Sequence, residues 1–79
     1  MFQKIFQRAG RQEAQAQREA LMESVRSTRS ALSRAYDGFN RASDGELIES
    51  YVYEINALQH RYAYLLKQVR ELEGAGASA

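Results

Sequence analysis

Apolar residues recur at Ile48, Tyr51, Ile55, Leu58, Tyr62, Leu65, Val69 and Leu72, with steps of three and four in strict alternation. On a helix these positions stack into one seam, whereas a strand would scatter them over both of its faces. The spacing predicts a helix from about Glu46 to Leu72 whose a and d heptad positions face a partner. Val52 and Leu66 adjoin that seam and make it broader than a two-stranded coiled coil requires. A weaker stripe of the same kind, Leu21, Val25, Thr28, Leu32, Ala35 and Phe39, predicts an earlier helix, widened by Met22 and Tyr36. Upstream the register passes through Ala14 and Arg18, which offer a partner little to hold, so this helix is expected to fray at its start.

Local signals bound both elements. In Ser43-Asp44-Gly45-Glu46 the Ser43 hydroxyl is placed to accept from the Glu46 amide while Glu46 reaches back, a capping box, with Ala42 and Leu47 as a weak hydrophobic staple. Glu46 and Glu49 in the first turn, and Lys67 and Arg70 in the last, complement the helix dipole. Gly74 is expected to take a left-handed cap, and Gly38 and Asn40 to supply positive φ in the connection. These signals divide the chain into a short basic amphipathic segment (1–10), a hairpin (11–73) and a disordered tail (74–79). Within the hairpin, helix 1 spans about 11–37, the loop about 38–43 and helix 2 about 44–73.

The fold class that follows is all-α: an antiparallel, coiled-coil-like two-helix hairpin, with Phe39 plugging the closed end beneath Leu47 and Tyr51. One interface recovers only about as much free energy as ordering the chain costs. Assembly into a four-helix bundle would cover Val52, Leu66, Met22 and Tyr36, so a homo-oligomer is expected, a dimer in the first instance.

Composition narrows the function classes. The chain has 79 residues and no cysteine, proline or tryptophan. That is helix-forming usage without a disulfide framework, and it points to the cytoplasm. The first ten residues are too short an apolar run for a signal peptide, and no stretch would span a bilayer. A net charge of +1 hides an asymmetry: residues 1–42 carry eight Lys/Arg against four Asp/Glu, and residues 43–79 carry three against six. Opposed halves favour packing one on the other, or head-to-tail assembly, over binding a nucleic-acid backbone.

The run Glu46-Leu47-Ile48-Glu49-Ser50-Tyr51-Val52-Tyr53-Glu54-Ile55-Asn56-Ala57, followed by Arg61-Tyr62-Ala63-Tyr64-Leu65-Leu66-Lys67, resembles the YaaL-like family of short bacterial proteins. The resemblance covers about residues 32–71. It implies a cytosolic protein of Gram-positive bacteria and brings no assigned activity, ligand or catalytic residue.

Candidate chemistry is sparse. His60 is the one histidine, falls at an outward heptad position and has Ala57 three residues before it, so no Glu-x-x-His pair and no converging ligand set is formed. Ser24, Ser27, Ser30 and Ser33 have no histidine base near them in sequence and no glycine-rich elbow. Neither an enzyme nor a cofactor is expected.

Surfaces offer more. Tyr51 and Tyr62 belong to the seam, whereas Tyr53 and Tyr64 point away from it on either side of Arg61. This outward group is a candidate contact for a partner chain, stacking on single-stranded nucleic acid being the lesser alternative. Phe2, Ile5, Phe6 and Ala9 recur at helical spacing, with Lys4, Arg8 and Arg11 available to the other side. Three readings stand for that segment: packing against another subunit, a mobile end, and weak contact with an anionic membrane. Arg18, Arg26, Arg29, Arg34 and Arg41 do not share one helix face and are interspersed with Glu13, Glu19 and Glu23, the pattern of a solvated, ion-paired surface. The combined expectation is a helical interaction or scaffold protein. A nucleic-acid accessory protein using the basic first helix and a peripheral membrane protein are the alternatives.

Overall fold

Helix α1 runs Phe2–Arg41 and helix α2 runs Gly45–Ala77, packed against one another as an antiparallel hairpin with no strand among the described residues. The computed structural model describes residues 2–77, with side chains from 12 to 74. The molecule is a rod of 64 × 20 × 14 Å. With 40 residues against 33, α1 is the longer helix by seven residues, about 10 Å at the 1.5 Å helical rise, and its start extends past the end of α2.

Both helices outrun the boundaries expected from sequence. Residues 2–10 form no separate element, because α1 is continuous through Gly10. A single interior glycine costs about 1 kcal/mol relative to alanine, which flanking Gln, Arg, Glu and Ala residues absorb. At the other end α2 passes through Gly74 to Ala77, and no described residue has a positive φ, so the expected left-handed cap does not form. Residues 78 and 79 of the expected tail lie outside the described residues.

The connection is also shorter than expected. Only Ala42, Ser43 and Asp44 lie between the helices, and Gly38 and Asn40 sit inside α1. The Ala42 amide closes α1 by donating to the carbonyls of Gly38 at 2.9 Å and Phe39 at 3.3 Å. Arg41 places a cation in the last turn, where the dipole favours it.

The capping residue of α2 is Asp44 rather than Ser43. Its Oδ1 accepts from the amides of Glu46 at 2.9 Å and Leu47 at 3.1 Å, and its carbonyl accepts the first helical bond from Ile48 at 2.9 Å. A carboxylate is a stronger acceptor than a hydroxyl and carries the charge that the helix N-terminus stabilises, so a simple Asp44 cap takes the place of the expected capping box. Asp44→Ala is therefore expected to cost about 1 kcal/mol. Ser43→Ala should leave the thermal midpoint nearly unchanged. Paired melts at one protein concentration check both, and a larger loss from Ser43→Ala would return the cap to the serine.

The core is one thin layer between the helices. Val25, Ala35, Ile55, Leu58 and Leu65 are buried together with Thr28. Ala35, at 2% exposure, centres a cluster with Ile55 and Leu58, and Ala31, Leu32 and Tyr51 pack around it. All eight α2 seam positions lie inward: Ile48, Tyr51, Tyr62, Val69 and Leu72 are half-buried beside the three buried ones. No fully buried side-chain polar atom among the described residues lacks a partner.

Phe39 does not plug the closed end. It is 36% exposed, while Gly38 beside it is half-buried against the Tyr51 ring. Near the closed end the inward positions are Ala35, Gly38 and, just past α1, Ala42, so the contact line leaves the strict repeat that would bring Phe39 inward. A Cβ on Gly38 would overlap the Tyr51 ring and hydroxyl, so this glycine serves close approach and not a turn.

Candidate interaction faces

The hairpin leaves two flanks and two helix backs uncovered, and the side chains singled out from sequence distribute unequally among them. On α1, Met22, Arg29 and Tyr36 recur every seven residues; on α2, Val52, Gln59 and Leu66 do the same. A hydrogen bond joins the two rows, Gln59 Nε2 donating to Tyr36 Oη at 2.7 Å, so both rows border the same flank. Tyr36 is 43% and Val52 41% exposed, Met22 and Leu66 are half-buried, and the four apolar side chains form a partly open band beside the seam.

Polar groups divide that band at mid-length. Arg29 Nη2 donates to Tyr62 Oη at 3.2 Å. The bond and the nearby phenol raise the pKa of the guanidinium, with desolvation opposing. Toward the open end, Arg18 reaches Glu73 across the hairpin at 4.0 Å, a solvent-exposed contact of little energetic weight. There the band continues into an open groove of about 830 Å³ lined by Ala14, Arg18, Met22 and Leu72.

On the back of α2, Tyr53, Ala57, His60 and Tyr64 follow one another at steps of four, three and four, all exposed. Tyr53 at 72% and Tyr64 at 60% exposure point away from α1, whereas Arg61, also exposed, lies toward a flank beside Glu23, Ser24 and Ser27 of α1. The outward placement inferred from the heptad is therefore found. Phe2, Ile5 and Phe6 lie on the backbone of α1, and their side chains fall outside the described ones.

Leu21, Val25, Leu32 and the α2 seam positions lie inward, and Arg29 and Gln59 make hydrogen bonds between the helices that the heptad pattern does not show. Gln59 lies seven residues from both Val52 and Leu66, which was the available signal. Among the described residues no group of His, Asp and Glu could hold a metal ion. No described helix is long and apolar enough to cross a membrane.

No curated protein matches the chain. No solved structure matches it. A family model described as "Protein of unknown function (DUF2508)" matches residues 3–73, nearly the full length of the hairpin, and the chain belongs to that family.

Proposed function

We propose that this protein is a non-enzymatic helical interaction module that self-associates through the flank beside its heptad seam. One observation carries this reading: the band of Met22, Tyr36, Val52 and Leu66 continues the core outward and is left partly open by the single hairpin. The surface of the chain supports it. The accessible area is 6672 Å² for 9.0 kDa, where a compact monomer of that mass would expose about 4,800 Å². The radius of gyration is 18.3 Å, against about 12 Å for a compact domain of this length. The excess area exceeds the roughly 800 Å² per partner that a standard specific interface removes.

On this reading the protein acts in the cytoplasm of a Gram-positive bacterium, in keeping with the YaaL-like resemblance. The outward Tyr53 and Tyr64, the exposed Arg61 and the protruding start of α1 would then serve a further protein partner. The nucleic-acid alternative is less well supported, since Arg26 pairs with Glu23 at 3.1 Å, Arg18 approaches Glu73, and the arginines do not line one face. Equilibrium sedimentation at micromolar concentration tests the proposal. A mass of twice the 9.0 kDa chain is expected, and a fully helical monomer would refute it.

A further inference from the structure

Resting on that self-association, we infer that the flank seats a second copy of this chain with both loops at the same end, α1 of each copy lying against α2 of the other. Two hairpins stacked face to face by a two-fold axis have two choices. An axis parallel to the helices sets α1 against the second copy's α2 and brings the loops together. An axis across the helices sets α1 on α1 and α2 on α2, with the loops apart.

Register separates them. In the loops-together arrangement the levels of the hairpin itself apply between copies, so Met22 meets Leu66, Arg29 meets Gln59 and Tyr36 meets Val52, each pair a heptad from the next. Apolar groups meet apolar groups at both ends, and the charged Arg29 meets an amide at mid-length. In the loops-apart arrangement, matching Tyr36 to Met22 of the second copy puts the midpoint at residue 29. Two Arg29 guanidiniums, each a permanent cation, then face each other on the symmetry axis.

Net charge selects the same arrangement. Residues of α1 carry eight Lys/Arg against four Asp/Glu, and residues of α2 carry three against five. Laying α1 on α2 of the other copy opposes unlike charge, whereas α1 on α1 opposes like charge along the rod. The arrangement also sets the two protruding starts of α1 at one end, where a further partner would meet them as a pair.

The chain has no cysteine, so Ser43→Cys in the loop accepts one nitroxide label per copy without other changes. Pulsed dipolar spectroscopy should give a label separation of about 20 Å, a bundle width, if the loops lie together. Loops apart would give about 40 Å or more at the helical rise. Sedimentation of the same sample supplies the mass. A dimer with the short distance supports the inference. A dimer with the long distance overturns it and leaves self-association standing, while a monomer overturns both. Val52→Glu supplies an independent check on the face. It should weaken association by about tenfold to a hundredfold by placing a carboxylate against Tyr36 of the second copy. Unchanged association would remove this flank as the interface.

Discussion

Ile55→Asp is expected to abolish the cooperative helical melt of this protein and to remove most of its far-ultraviolet helical signal. Ile55 is buried at the centre of the hairpin, in one cluster with Ala35 and Leu58, and Ala31, Leu32 and Tyr51 pack against that cluster. The substitution removes a side chain whose burial contributes about 1.5–3 kcal/mol and inserts an unpaired charge that costs several more. Domains of this size hold only about 5–15 kcal/mol in all, and a single-layer core sits at the low end of that range. The same change at Val52, 41% exposed on the flank, should preserve far more helix in the monomer. Circular dichroism of the two variants at one concentration checks the contrast. Equal helicity in Ile55→Asp and the parent chain would mean that the seam is wrongly placed.

The legibility of this fold varies along the chain for physical reasons. In α2 eight large apolar residues recur on one seam, so a seven-residue repeat picks out the three buried positions and five half-buried ones from Ile48 to Leu72, with Leu66 and Gln68 half-buried beside it. In α1 the same stripe contains Thr28 and Ala35, both buried, and ends on Phe39, which is not. Small side chains carry little periodic signal, yet they let the helices approach, and Ala35 is the least exposed of the buried core residues. Helix ends were harder to place. Glycine at positions 10, 38 and 74 suggested breaks, but a helix supported by packing or by good neighbours absorbs a glycine that would stop an isolated one. The cap was misplaced by one residue because Ser43 and Asp44 are both competent acceptors, and only the turn's geometry decides which one meets the free amides.

The candidate faces are legible in part. Hydrophobic surplus at Met22, Tyr36, Val52 and Leu66 could be counted from the sequence, and the outward position of Tyr53 and Tyr64 followed from the register. That the first four share one flank did not follow from either helix alone. It depends on the rotation of α1 against α2, which the Gln59–Tyr36 hydrogen bond makes visible. Arg29 looked like one of several solvated arginines, and its position between the two apolar ends of the flank emerges only once the helices are paired.

Gly38 offers the clearest test of how the closed end is built, because two effects of opposite sign meet there. In an ordinary helix interior, Gly→Ala stabilises by about 1 kcal/mol through backbone entropy and propensity. Here the added Cβ would overlap the ring and hydroxyl of Tyr51, which packs on the Ala35, Ile55 and Leu58 cluster. Forcing that ring aside is an overpacking change costing about 1–3 kcal/mol, so Gly38→Ala should destabilise by about 1 kcal/mol net. For a domain of this length that lowers the melting temperature by about 4–8 °C at fixed protein concentration. Removing the ring should reverse the sign: in a Tyr51→Ala background, itself less stable, Gly38→Ala should stabilise by about 1 kcal/mol. A double-mutant cycle isolates the Gly38–Tyr51 coupling from both single effects. Stabilisation by Gly38→Ala in the parent chain would mean that Tyr51 swings away freely, and the close approach of α1 and α2 at the loop would then owe nothing to the glycine.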